Sequence, residues 1–177
     1  MIRSINGRMI FGLSALITVL AMVYALYLEH YTGLDPCPLC IFQRVFVIAM
    51  GIILLVACLH NPTGMMERVY AGLCALAAFG GASVAARHSW LQYLPADEVP
   101  ACGPGLDYLL DVFPLADVFR LVFTGSGECA SVDWQFLGLS LPEATLILFL
   151  GYAIFYTGLS FYPWSRIEDN LNPANNR

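Results

Sequence analysis

The chain has 177 residues, 59% of them hydrophobic and only 12% charged, with a mean hydropathy of +0.70. A water-soluble domain carries about 25% charged and about 45–50% apolar residues, so a soluble domain and a disordered chain are both excluded. Eight scattered arginines, no lysine and thirteen acids give a net charge of −5 and leave no basic groove for a nucleic acid.

Met9–Leu28 is the first of four apolar runs, each 18–20 residues long. About 20 helical residues cross a ~30 Å hydrocarbon core, so all four qualify as spans. Arg3 and Arg8 precede the first run as in a signal peptide, but it is long for a cleaved core and bulky Tyr27, Leu28, Glu29 and His30 follow. It reads as a retained helix. A short loop, Glu29–Cys37, leads to the second run, Ile41–Leu59, with Gln43 and Arg44 in its first turn. The link His60–Arg68, broken by Asn61-Pro62 and Gly64, precedes the third run, Val69–Ala86. Its small-xxx-small pairs Ala71/Ala75, Ala78/Ala82 and Gly81/Ala85 predict close approach to the second helix. The long loop Arg87–Glu143 holds most of the polar sequence. Within it, Asp111–Phe123 reads as a short amphipathic helix, either on the membrane surface or packed on the bundle top. Pro114 fits its first turn, and Asp117 and Arg120 share a polar face. Ala144–Phe161 is the fourth run. Too little polar sequence remains to cover four such helices in water. The expected fold is an all-α membrane protein: one four-helix domain over residues 1–177, with helices at about 9–28, 41–59, 69–86 and 144–161 and no repeat or linker.

Arginine placement orients it. Four spans put both termini on one side, with Arg3, Arg8, Arg68, Arg166 and Arg177. The other side holds Arg87 and Arg120, and Arg44 sits just inside the second helix. The arginine-rich side is expected in the cytoplasm, so Glu29–Cys37 and Arg87–Glu143 face outward.

Topology then sorts the six cysteines. Cys37, Cys40, Cys102 and Cys129 fall on the outer side, where disulfides persist. Cys58 and Cys74 lie within helices toward the cytoplasmic half and read as small apolar packing residues. Cys37-Pro38-Leu39-Cys40 is a C-x-x-C pair, which serves zinc or redox chemistry. Zinc needs further ligands; of His30, His60 and His88, His60 falls on the wrong side, and there is no second C-x-x-C, so no metal is expected. The loop is too short for a structural disulfide to gain much. A redox dithiol fits better. Pro36 and Pro38 fix the backbone before the helix, and Cys40 sits at the helix N-terminus with Arg44 four residues on, both of which favour a thiolate. Arg44 is costly in a membrane helix and therefore reads as functional, against a simple snorkelling role. His88 leaves the third helix at the depth of Cys40, as an anion partner or as part of an aromatic belt with Trp90 and Tyr93. Cys102 and Cys129 form the second pair, either a structural staple or, given the glycines beside both, an exchanging pair.

Three stretches carry a family resemblance. They are Pro36-Cys37-Pro38-Leu39-Cys40-Ile41-Phe42-Gln43-Arg44; His88-Ser89-Trp90-Leu91-Gln92 leading to Cys102; and Gly125-Ser126-Gly127-Glu128-Cys129 with Trp134-Gln135-Phe136-Leu137-Gly138-Leu139 and Pro142. With them, nearly the whole chain resembles the disulfide bond formation protein B (DsbB) family of bacterial inner-membrane, quinone-dependent thiol oxidoreductases. Members vary between the first two cysteines and at the position of Gln43.

The resemblance implies Cys37, Cys40, Cys102 and Cys129 as catalytic, and Cys40, Arg44 and His88 at the quinone, ubiquinone or menaquinone. A reduced periplasmic thioredoxin-fold partner of the DsbA type attacks Cys102 and releases Cys129. Cys129 engages Cys37, and Cys40 passes the electrons to the quinone. Two other readings stand beside it: a four-helix scaffold with structural disulfides, and a vitamin K epoxide reductase-like enzyme, in which the C-x-x-C belongs near the end of the bundle.

Overall fold

The computed structural model describes residues 7–33, 36–95, 97–99, 108, 111–125, 127–131, 134–136 and 138–162. Among these, four helices are long and apolar enough to cross a membrane: α1 (Gly7–Thr32), α2 (Pro38–His60), α3 (Met65–Gln92) and α5 (Leu141–Phe161). A shorter helix, α4 (Leu115–Thr124), a 3₁₀ turn (Gly127–Cys129) and a hairpin of β1 (Gln135–Phe136) and β2 (Leu139–Ser140) lie between α3 and α5. The all-α membrane fold is the one expected, and the hairpin is an addition to it.

Each long helix outruns its apolar stretch, because capping groups rather than hydropathy set the ends. α1 continues to Thr32, which makes Glu29 helical rather than part of a loop. α2 starts on Pro38, whose missing N–H is no loss at a first helical position. It ends at Asn61 in the left-handed region (φ 49°), whose N–H donates to the Ala57 carbonyl at 3.0 Å, and Pro62 prevents continuation. α5 starts behind Ser140, whose N–H and hydroxyl both donate to Glu143 Oε2, at 2.7 and 3.0 Å. Tyr93, just past α3, donates its hydroxyl to Glu143 Oε1 and so ties the end of α3 to the start of α5.

α3 is the central helix. Its small residues Ala71, Ala75, Ala78, Ala82 and Ala85 are all buried, and it packs against both α2 and α5, most extensively on α5. The close approach expected toward α2 is there, with Gly80 against Phe46. The larger contact is with α5, where Phe149 lies fully buried over Gly81. One core runs through the middle of the bundle and includes Phe11, Met50, Leu54, Cys74, Phe149 and Tyr156. A second caps the end at which α2 begins and α3 finishes; it contains Cys37, Leu39, Val84, Leu91, Val118, Val122 and Cys129. We call this the thiol end. Large apolar side chains such as Leu13, Leu20, Ile52, Leu76 and Ile154 remain exposed, as lipid-facing residues must.

The stretch expected as one helix over Asp111–Phe123 is interrupted: Asp111 and Val112 are helical, and α4 starts again at Leu115 behind Pro114, its N-cap, whose carbonyl accepts from Asp117 and Val118 at 2.9 and 3.1 Å. Val118 and Val122 face the second core, while Asp117 and Arg120 are exposed.

A Cβ on Gly81 would overlap the Phe149 ring, whereas one on Gly151 would meet nothing within 4 Å. Gly81→Val should therefore cost about 1–3 kcal/mol by overpacking and lower the thermal midpoint in detergent by several degrees. Gly151→Ala should leave the midpoint unchanged or raise it.

Candidate active site

The chain direction at Pro38 divides the C-x-x-C pair. Cys37 is the N-cap, in extended backbone (φ −66°, ψ 163°), and its carbonyl accepts the first helical bond from Ile41 at 3.1 Å. Cys40 is the third residue of the helix, among N–H groups that have no partner within it. Cys37 joins the second core and is 8% exposed. Cys40 lines two cavities on the α1 side of α2.

His88, 3% exposed, lies between the two sulfurs. Its Nε2 is 3.7 Å from Cys37 Sγ and its Nδ1 is 3.9 Å from Cys40 Sγ. Nδ1 is also 2.9 Å from Gln43 Nε2, and Gln43 Oε1 accepts the Thr145 hydroxyl at 2.6 Å. This polar string crosses from α3 through α2 to α5. Cys40, Arg44 and His88, placed at one depth by the sequence, are thus brought together around a cavity of about 80 Å³.

Arg44 pairs with Glu29 of α1, and both are partly exposed. An arginine at the edge of hydrocarbon requires an anion or water, and α1 supplies the anion. Glu29, Gln43 and Thr145 are the site residues that sequence reasoning did not assign. An acid in the last turn of one membrane helix and an arginine in the first turn of the next were the available signal for Glu29. For Gln43, it was an amide three residues after Cys40, on the same helix face.

Cys129 closes the 3₁₀ turn and is 1% exposed. Its Sγ, Cys37 Sγ and a ring nitrogen of His88 all lie within 4.8 Å of one another. Cys129 is thus a third sulfur at the C-x-x-C pair, brought there by the fold across 92 residues of sequence. The same spacing lets two sulfurs exchange. Several contacts bring Cys129 there. Arg87 donates through Nε and Nη2 to the carbonyls of Phe123 and Thr124, at 3.0 and 2.8 Å, fixing the end of α4. Gly125 then turns the chain at φ 90°, where a Cβ would strike Leu91. Gln92 donates to the Ser131 carbonyl at 3.3 Å. Cys102, the fourth expected thiol, lies outside the described residues.

On the other side of Cys40 is a cavity of about 600 Å³, enclosed by α1, α2, the hairpin and the start of α5. Its wall is almost wholly apolar, with Met22, Tyr24, Val47 and Leu148 along it and Cys40, Gln43, Arg44 and Thr145 as its polar groups. Trp134 meets Tyr24 edge-on, with ring centroids 5.8 Å apart. This size, and a few polar groups on an apolar wall, are typical of small-molecule sites.

The arrangement is a train of thiols that ends at an apolar chamber. The family model for disulfide bond formation protein DsbB matches residues 7–159. The chain belongs to the DsbB family. It is 54% identical over 147 residues to disulfide bond formation protein B of Acinetobacter baumannii, covering 82% of this chain and 86% of that one. Its namesake in Methylococcus capsulatus is 47% identical over 150 residues, 85% and 92% of the two chains. The Hahella chejuensis protein of that name is 45% identical over 162 residues, 92% and 96%. The DsbB-family chain is thus a multi-pass membrane protein of disulfide bond formation, a disulfide-forming oxidoreductase.

Cys74 is fully buried in the central core and Cys58 faces Gly12 of α1, both far along their helices from the thiol end. Cys58→Ala and Cys74→Ala should keep turnover, with Cys74→Ala costing on the order of 1 kcal/mol of stability for the lost buried atom. Thiol-oxidation rates beside thermal midpoints test this. Lost turnover in a folded variant would place these sulfurs in the electron path.

Proposed function

We propose that the protein reoxidises a DsbA-like periplasmic dithiol oxidase of the thioredoxin fold and delivers the electrons to a membrane quinone, ubiquinone or menaquinone. The observation that carries this reading is the position of Cys40. It has the imidazole that also faces Cys37 and Cys129 on one side and an apolar cavity of about 600 Å³ on the other.

The site lies on the periplasmic face of the bacterial inner membrane and both termini lie in the cytoplasm, in keeping with the arginine distribution. The exposed Leu121 and Phe123 of α4 rest on the membrane surface.

The partner's thiolate attacks Cys102, forming a mixed disulfide and releasing Cys129 as a thiolate. Cys129 attacks Cys37, breaking the Cys37–Cys40 bond and leaving the electron pair on Cys40. The partner's second thiolate then frees Cys102, and the partner departs oxidised. Cys102 reclaims Cys129, which leaves Cys37 as a thiolate ready to re-form its bond with Cys40. A quinone supplies the acceptor for two electrons and two protons. Cys40, Arg44, Gln43 and the apolar wall fit such a group: the helix N-terminus and Arg44 favour negative charge at Cys40, and the wall excludes water. The Glu29 pair holds the Arg44 guanidinium beside the cavity.

Cys40→Ser should abolish quinone reduction, read as loss of the quinone absorbance change, while the partner is still trapped through Cys102. Normal turnover in that variant would refute Cys40 as the electron exit.

Arg44→Ala should raise the apparent Michaelis constant for quinone more than that for reduced partner. Arg44→Lys should fall between, since it keeps the charge without the planar fork. A defect confined to the partner would remove Arg44 from the quinone site.

A further inference from the structure

Two sulfurs flank one imidazole, and the ring treats them differently. The Thr145 Oγ1 to Gln43 Oε1 distance is 2.6 Å. Thr145 Oγ1 also lies 3.1 and 3.0 Å from the Leu141 and Pro142 carbonyls, and of these three acceptors the Gln43 oxygen is the nearest to its hydroxyl. The Gln43 oxygen therefore faces Thr145, and its amide NH₂ faces His88 Nδ1 at 2.9 Å. An amide nitrogen only donates, so Nδ1 must be the bare nitrogen of a neutral ring, and the ring proton sits on Nε2. Nε2 is the atom 3.7 Å from Cys37 Sγ.

We infer that Gln43, held by Thr145, is a positioning residue that fixes His88 in the tautomer whose Nε2–H points at Cys37. Cys40, 3.9 Å from the bare Nδ1, receives no proton from the ring. The two thiols of the C-x-x-C pair thus obtain their charge stabilisation from different sources. Cys37 takes an N–H from α3, while Cys40 takes its stabilisation from Cys37 beside it at the start of α2 and, to a lesser extent, from Arg44.

This deepens the proposed relay and rests on it. The step served is the release of Cys37. The Cys37–Cys129 bond breaks, the Cys102–Cys129 bond forms, and the electron pair stays on Cys37 Sγ, where Nε2–H meets it. Hydrogen bonds to charged groups contribute enough for a change of roughly 10-fold in rate. The charged or titratable groups sharing this pocket are Glu29, Cys37, Cys40 and Arg44, with Cys129 facing from the 3₁₀ turn.

Ring-nitrogen NMR on ¹⁵N-histidine-labelled protein tests the inference directly, since the chain has only three histidines and His88→Asn identifies the signal. At neutral pH the wild type should show His88 protonated on Nε2 and bare on Nδ1. Gln43→Leu should mix the tautomers and slow turnover roughly 10-fold. Gln43→Glu offers only acceptors, so it should draw a proton to Nδ1, retain part of the turnover and extend the pH–rate profile to higher pH. Thr145→Val, which keeps shape and loses the hydroxyl, should shift the His88 signals in the same direction as Gln43→Leu, by less, and serves if Gln43→Leu does not fold. A wild-type ring protonated on Nδ1 overturns the inference. Unshifted signals and pH profile in a folded Gln43→Leu or Thr145→Val do so as well. The NMR readout needs neither quinone nor partner, so failure of the relay itself would be seen separately, as absent turnover with the tautomer intact.

Discussion

The start of α2 is the constraint on which the rest of the thiol end depends. Proline at the first helical position places Cys37 just outside the helix and Cys40 inside its first turn. Both sulfurs still reach the same imidazole, yet they look out on different surroundings. Cys37 faces the second core and Cys129, while Cys40 faces an apolar chamber. A start one turn earlier would move both sulfurs around the helix axis and along the bundle. Cys40 would then lose the unpartnered N–H groups that favour its anion.

The polar string Thr145–Gln43–His88 is structural as well as chemical. Gln43 and His88 are almost wholly buried in a bundle where lipid offers no replacement hydrogen bonds. A buried polar group left unpaired costs about 1–3 kcal/mol, so the three residues hold α2, α3 and α5 in one register at this end. Gly81 under Phe149 does the same by shape further along α3 and α5. The geometry that aims His88 at Cys37 is therefore set by packing over the length of the bundle, not by the loop that carries Cys129.

Much of this was legible in the sequence, for specific reasons. Long apolar runs gave the four spans, since in lipid only a helix or a closed barrel satisfies the backbone groups. The i, i+4 spacing gave Arg44 beside Cys40, and helix direction brought His88 to the same depth. What was not legible depended on contacts between distant segments. Glu29 belonged on paper to a loop, because the apolar run stops at Leu28; in the fold, the helix continues and the acid meets Arg44. Gln43 read as one polar residue in a first turn, since its partners His88 and Thr145 are 45 and 102 residues away. The apolar stripe over 111–123 read as one helix, but Pro114 breaks it and caps its second part, α4.

In the proposed relay Cys129 must both reach Cys37 and leave it, and the contacts around it suit that double requirement. The groups that hold α4 and the following turn fall into two kinds. Arg87 donates to two carbonyls near the surface, where water can replace it at little cost. Val118 and Val122 bury their side chains against Leu91 and Val84, a contribution of about 1.5–3 kcal/mol each when fully buried. Lifting the segment away therefore costs a few kcal/mol, well below the cost of parting the membrane helices. Local opening of so weakly held a segment is the motion that thiol exchange in the proposed relay would use. The C-x-x-C pair, the string behind it and the chamber beside it are built on the membrane helices, whereas the covering segment is not. The proposed relay, from a soluble protein to the membrane interior, calls for that division between a more firmly packed half and a less firmly packed one.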